Sequence, residues 1–334
     1  MKISERIQAF VDLGIFFNEI SNKPYKHTVF NQAFLENDFF IKENISFSFK
    51  SLSKVLTKKK ITKWLYPYSI EKKLCKTILV ICAGNIPLVG FHDILCVLIL
   101  GHKLILKTSS KDSVLIHFVV KKIIEIQPKF KNLISFSEIN TYCDMVICTG
   151  NNNSANYFKY YFKNKPAIIR SSRTSVSILS GDESEQELRK LCDDIFLYFG
   201  LGCRNVTKIY IPKSYNLDIL KPYFKKYTSN LNCESYKDNY AYNKSLLLLK
   251  KTNFKDFQNI LMVKSEKTHP PVSVIFYSYY NNLDDISFNK YDIQCVVSNT
   301  YNKLKTIPFG DSQLPELFDY ADEIDTVYFL LSNS

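Results

Sequence analysis

The sequence predicts an α/β protein of two lobes, each built on an open, twisted, mostly parallel sheet. Three observations carry this. From residue 77 onward, short β-branched runs alternate with amphipathic, helix-spaced segments at the cadence of βαβ units. The runs are continuously apolar rather than alternating, as expected of strands covered on both faces. The chain has 334 residues, 46% of them apolar, enough for two cores at roughly 100–200 residues per domain.

In chain order, residues 1–75 are mixed polar and aromatic, with helix-like spacing at Ile7, Phe10, Val11, Leu13 and Ile15. Thr77–Ala83 is a buried strand bounded by Gly84, followed by an apolar helix over Leu88–Leu100. A second strand, Lys103–Lys107, leads into a helix from Ser113 to about Ile126. A third, Asp144–Thr149, ends at Gly150 before a helix around Ala155–Phe162. Ile168-Ile169 and Val176–Leu179 are further strands, and Glu183–Phe199 is a long amphipathic helix with Leu188, Leu191, Ile195 and Leu197 on its apolar stripe. Thr207–Pro212 is a strand, and the same alternation continues more loosely to Ile293–Ser298 and Thr326–Leu331. The expected organisation is an N-terminal segment with a first α/β lobe over residues 1–180 and a second lobe over 181–306. Residues 307–334 form a C-terminal tail strand for packing or homo-oligomer formation.

Composition narrows the function classes. Aromatics at 14% and only 9 glycines exclude disordered, collagen-like and linker-dominated chains. The formal charge is +12, which suggests nucleic acid. The lysines are dispersed, however, with one dense run at Lys58-Lys59-Lys60, so compositional drift explains the charge better and no nucleic-acid partner is expected. Nine cysteines at irregular spacing, with no Cys-x-x-Cys and no clustered His, give zinc no support. No segment reaches the roughly 18 uncharged apolar residues of a membrane span. The charged N-terminus, Met1-Lys2-Ile3-Ser4-Glu5-Arg6, lacks a secretory leader pattern. A cytoplasmic protein with reduced thiols is expected.

Chemistry concentrates where the first strands end, the edge at which open α/β sheets bind ligands. Asn85 follows the first strand and carries a carboxamide able to donate to an oxyanion; the alternative is an Asn stabilising a turn before Pro87. Lys107 ends the second strand before Thr108-Ser109-Ser110 and suits a phosphate or ribose. Gly150-Asn151 after the third strand lets backbone N–H groups face a phosphate. Gly200-Leu201-Gly202-Cys203-Arg204 begins like a dinucleotide fingerprint but follows a helix and lacks the third glycine. Two glycines before a cysteine instead leave a thiol uncrowded, making Cys203 a candidate nucleophile beside Arg204. His92-Asp93 reads as a hydrogen-bonded pair inside an apolar helix, and His269-Pro270-Pro271 as a rigid loop. The Tyr-rich stretch Tyr223–Tyr242 reads as packing and surface.

These pieces, in this order, resemble the aldehyde dehydrogenase superfamily, and more closely its acyl-CoA reductase branch, the LuxC-like fatty acid reductases. Cys82-Ala83-Gly84-Asn85-Ile86-Pro87 is similar to the family's Pro-Trp-Asn-Phe-Pro segment, and Gly101–Lys107 to its Gly-Asn-x-Val-Val-Leu-Lys strand. Cys148-Thr149-Gly150-Asn151 is similar to its Phe-Thr-Gly-Ser turn, and Gly200–Cys203 to the Gly-Gln-x-Cys that carries the nucleophile. Pro308–Gln313 with Asp319–Asp322 resembles the reductase branch specifically. The likeness spans roughly residues 70–334.

The resemblance implies two Rossmann-type lobes and NADPH-dependent reduction of a fatty acyl-CoA, or of an acyl-protein thioester, to the aldehyde through an acyl-cysteine intermediate. It implies Cys203 as nucleophile and Asn85 as oxyanion donor. Gly84, Lys107, Ser109, Ser110, Gly150 and Asn151 would contact the dinucleotide, with no metal. Ser109 and Ser110 stand where NAD-preferring relatives carry an acidic residue, which favours NADPH with NADH as second option. Arg170 stands where aldehyde-oxidising members have their Glu base, so activation of water is lost and thioester chemistry is favoured. A semialdehyde or γ-glutamyl-phosphate-type reductase, a catalytically inactive member and a nucleic-acid-binding basic protein are the alternatives.

Overall fold

The computed structural model describes residues 1–70, 74–137, 142–228, 233–301 and 305–334. The chain forms two compact units, Met1–Ser172 with Glu316–Ser334, and Arg173–Pro315. The division falls at residue 172 rather than near 180, because the strand starting at Thr174 pairs into the second sheet.

The first unit begins with helices α1 (Ile3–Asn22), α2 (Thr28–Glu36), α3 (Lys42–Val55) and α4 (Lys58–Leu65). Helix α1 buries Phe10, Leu13, Phe17 and Ile20, the stripe its spacing implies. Phe17 meets the Phe49 ring at 5.0 Å and the Phe91 ring at 5.5 Å, which joins the helical layer to the α/β core. The α/β part runs β1 (Thr77–Ile81), α5 (Phe91–Leu100), β2 (Lys103–Lys107), α6 (Ser113–Ile126), β3 (Ile134–Phe136), β4 (Met145–Thr149), α7 (Asn152–Tyr161) and β5 (Ala167–Arg170). All five strands are parallel in the order β3-β2-β1-β4-β5. Within this sheet, edge strand β3 is the strand the sequence reading misses, since Ile134-Ser135-Phe136 is too short and exposed for a periodic signal.

The second unit contains β6 (Thr174–Ile178), α8 (Glu185–Phe196), β7 (Val206–Pro212), α9 (Lys221–Thr228), α10 (Glu234–Leu249), β8 (Phe254–Asp256), β9 (Leu261–Lys264), β10 (Val274–Tyr280), β11 (Ile293–Val297) and β12 (Thr306–Ile307). Its seven strands lie in the order β12-β11-β6-β7-β10-β9-β8, with only β8 antiparallel to its neighbour. Lys208, fully buried on β7, donates to Ser278 Oγ at 2.6 Å and to the Ser265 carbonyl, tying the β9–β10 connection to the sheet centre. Within the Tyr-rich stretch, Tyr236 is buried and Tyr240 donates to Asp256 at 2.7 Å, while residues 229–232 lie outside the described residues.

Thr326–Leu331, expected as a strand, is a helix, α11 (Thr326–Ser332), packed in the first unit. Asp325 caps it by accepting from Tyr328 N at 2.8 Å, and Val327, Leu330 and Leu331 are buried at helical spacing. A run of apolar residues this short fits both periods, and the cap decides it. The tail is also not one piece: β12 pairs with β11 in the second unit, whereas Glu316–Ser334 belongs to the first.

Candidate active site

In the first unit, the C-terminal ends of β1, β2 and β4 lie side by side. The chain turns to opposite sides after β1 and β4, so their ends flank the switch point of the 3-2-1-4-5 order. Gly84 and Asn85 follow β1, with Asn85 exposed. The β1 direction continues past its end, since Cys82 N donates to Lys107 O at 2.9 Å. Gly84 is required there: a Cβ would stand 2.5 Å from Ser109 Oγ. Lys107 and Ser109 are half-buried and Ser110 is exposed; Ser109 Oγ accepts from Lys111 N at 3.2 Å, shaping the turn. After β4, Gly150 N donates to Arg170 O at 3.2 Å. Asn151 serves as the N-cap of α7, its Oδ1 accepting from Ser154 N at 2.8 Å. Six of the predicted contacts, on three adjacent strand ends, are therefore neighbours, and the Asn151 side chain additionally holds a helix start.

Arg170, at the end of β5, is buried. Its Nη1 stands 2.6 Å from the Asp93 carboxylate and 3.5 Å from Thr149 Oγ1, and its Nη2 donates to Thr326 Oγ1 at 3.0 Å. Burial opposes the charge, but Asp93 outweighs it and the guanidinium is held above its ordinary pKa. His92 and Asp93 are consequently not bonded to each other as the sequence suggested. Successive helix positions diverge by about 100°, and His92 Nε2 instead donates to Leu317 O at 2.8 Å.

In the second unit, Cys203 lies between α8 and β7. Of the nine cysteines, seven are buried, Cys75 is exposed and Cys203 is half-buried. Burial pushes the thiols of Cys82, Cys96, Cys143, Cys148 and Cys192 upward, and that of Cys295 up to about 11. The approach to Cys203 is strained: Tyr198, Phe199 and Gly200 are consecutively left-handed, at φ 53°, 58° and 76°. For the two aromatic residues this costs roughly 1 kcal/mol each or more. Their rings are buried, Phe199 against Tyr236 at 5.5 Å, which holds the geometry.

Asn205 locks the loop from the other side. Its Nδ2 lies within bonding distance of three carbonyls, Asp194 at 3.1 Å, Ile195 at 3.3 Å and Leu197 at 2.8 Å, and its Oδ1 accepts from Gly202 N at 2.8 Å. Ser175 Oγ donates to the Cys203 carbonyl at 3.0 Å and lies 2.9 Å from Cys295 Sγ. Asp194 accepts from Gly310 N at 2.7 Å and Ser312 N at 3.1 Å, which fastens the Pro308–Gln313 segment to α8. Asn205, Ser175 and Asp194 were not singled out from the sequence. The one available signal was an Asn two residues after Cys203.

Thus one unit is a parallel sheet with a glycine-tightened switch point and the other carries a strained, bolted-down loop with a half-buried thiol. No family model matches the sequence, and no curated protein matches it. Solved structures do match. Aldehyde dehydrogenase 21 from Physcomitrella patens, in complex with the reaction product succinate, aligns over 100% of this chain and 84% of its own, with a TM-score of 0.70 at 10% identity. The fold is that of the aldehyde dehydrogenases. NADP-dependent glyceraldehyde-3-phosphate dehydrogenase from Bacillus halodurans C-125, complexed with NADP, shares this fold over 85% of the chain and 70% of its own, with a TM-score of 0.59 at 12% identity. An acetylating aldehyde dehydrogenase from Geobacillus thermoglucosidasius does so over 85% and 72%, with a TM-score of 0.57 at 11% identity. Among the described residues of this aldehyde dehydrogenase fold, no helix is long and apolar enough to cross a membrane and no His/Cys/Asp/Glu group could hold a metal.

Proposed function

We propose that the protein is a nicotinamide-dependent reductase of acyl thioesters, using NADPH in preference to NADH and releasing an aldehyde from an acyl-Cys203 intermediate. The observation that carries this reading is Arg170. By resemblance it stands at the base position of aldehyde-oxidising enzymes, and it is a buried cation locked to Asp93 and Thr326. Hydrolysis of an acyl-enzyme needs an activated water, and this position cannot take its proton. Exchange of one thiol for another at an acyl carbon does not require it.

The residues present fit a dinucleotide. The switch point between β1 and β4 is the expected ligand edge, and Gly84, which has no room for a Cβ against Ser109, keeps the turn after β1 close to the end of β2 that carries Lys107. Gly84, Lys107, Ser109, Ser110, Gly150 and Asn151 would hold it, with Lys107 on the adenosine ribose. When bound, its reduced nicotinamide supplies a hydride to the acyl carbon.

The chain's own residues do the rest. The Cys203 thiolate adds to the thioester carbonyl of an acyl-CoA or acyl-protein donor, and the tetrahedral oxyanion collapses with expulsion of the donor thiolate, which takes a proton from solvent. Reduction of the enzyme thioester leaves a thiohemiacetal oxyanion, whose collapse frees the aldehyde and returns the Cys203 thiolate. Asn85 donates to the oxyanion at both stages, a role worth about 3–4 kcal/mol for one donor.

The test is reduced-nicotinamide consumption with short-, medium- and long-chain acyl-CoA substrates. Turnover yielding aldehyde, with Lys107→Ala raising KM for the dinucleotide far more than for acyl-CoA, is expected. Oxidation of free aldehyde to free acid, with no turnover of any thioester, overturns the proposal.

A further inference from the structure

We propose that Asp112 is a positioning residue that fixes the loop carrying Asn85. The inference rests on the reading of Asn85 as oxyanion donor and adds the device that holds it. Asp112 directly precedes α6, where an aspartate ordinarily caps its own helix by accepting from the second or third N–H. Here its side chain makes no such bond. Glu36, at the end of α2, supplies the cap instead: its Oε2 accepts from Ser113 N at 3.0 Å and Val114 N at 3.1 Å, and its Oε1 accepts from the Ser113 hydroxyl.

The released Asp112 carboxyl turns the other way. Its Oδ2 accepts from Leu88 N at 2.8 Å, three residues beyond Asn85, with Asp112 1% and Leu88 3% exposed. Leu88 is left-handed, at φ 60°. A leucine stays in that region only when its surroundings over-determine it. Two further side chains do so: Ser48 Oγ donates to Pro87 O at 2.9 Å, and Asn37 Nδ2 reaches Lys111 O at 3.3 Å and Gly84 O at 3.5 Å. Asp112 thus couples the turn after β2, with Lys107 and Ser109, to the turn after β1, with Asn85. A helix that gives up its own capping side chain, and borrows another, breaks a local rule; such breaks are expected at functional sites. Burial raises the Asp112 carboxyl well above the usual carboxylate range, so an amide is a close substitute.

Three variants decide it. Asp112→Ala removes the acceptor and strands a buried N–H. Asp112→Ser retains helix-capping chemistry but is too short to reach Leu88, and serves if the alanine variant does not fold. Asp112→Asn keeps an acceptor. The alanine and serine variants should lower kcat by about tenfold or more with KM for the acyl thioester little changed, and speed hydrogen exchange over residues 84–88. Asp112→Asn should stay within about threefold of the parent. In an Asn85→Ala background, Asp112→Ser should bring no further loss of kcat, because coupled residues are not additive. Multiplying losses there, or a lower melting temperature with unchanged turnover per folded molecule, overturn the proposal. If the parent turns over no acyl thioester, the functional reading has failed. Exchange at 84–88 then decides alone: exposed in the serine variant but protected in the asparagine variant supports positioning, and equal protection refutes it.

Discussion

Arg170 Nη1 and the Asp93 carboxylate are 2.6 Å apart, both buried, and join the end of β5 to helix α5. In the function proposed above, Arg170 stands where an aldehyde-oxidising enzyme would carry its base; the structure holds it in a buried ion pair.

Removing one partner leaves the other charge buried and uncompensated, which costs about 3–5 kcal/mol. Arg170→Met should therefore destabilise by that order in denaturant titration, and Arg170→Met with Asp93→Leu should recover much of the loss. Additive losses in the double variant would mean the two side chains act separately.

Asn205 makes four side-chain contacts around the loop that carries Cys203. Asn205→Asp retains the acceptor for Gly202 N but replaces the donor with a buried negative oxygen facing three carbonyls. A loss of about 3 kcal/mol or more is expected, with altered Cys203 alkylation and unchanged Cys75 alkylation. Unaltered stability would show that the loop does not depend on this anchor.

Two buried groups set opposing pH slopes. Burial, reinforced by Arg6, lowers the His102 imidazole from 6.5 to about 4, so the unfolded chain binds the extra proton between those values. Its contribution, about 3 kcal/mol, is complete above pH 6.5 and lost as pH falls to 4. Burial raises the Asp194 carboxyl from 3.8 to about 6, so the folded chain binds the proton first and gains stability as pH falls through 6. The two nearly cancel between pH 4 and 6. His102→Asn removes one slope, so its stability cost relative to the parent should shrink by about 3 kcal/mol from pH 7 to pH 4. A cost independent of pH would place His102 in a solvated environment.

The parallel α/β core was legible because its strands are continuous β-branched runs ended by glycine or lysine: Lys103–Lys107 and Ser113–Ile126 have the bounds expected. Helix α5 starts three residues late because Leu88 is left-handed and held by Asp112, a contact between residues 24 apart. Helix α8 ends at Phe196 rather than Phe199 because the aromatic rings that follow are buried in left-handed backbone, which no local propensity announces. The loop before Cys203 and the polar strand ends stand out by residue type. Their supports do not: Asn205, Ser175, Glu36 and the Arg170–Asp93 pair act through partners that only the fold supplies.

The central claim is that Cys203 forms an acyl thioester, and it is measured most directly by mass spectrometry of protein incubated with an acyl-CoA in the absence of nicotinamide. The account predicts one acyl adduct, on the peptide containing Cys203, absent from Cys203→Ala and discharged when NADPH is added. An adduct confined to Cys75 or any other cysteine, or an adduct on Cys203 that NADPH does not discharge, would contradict it.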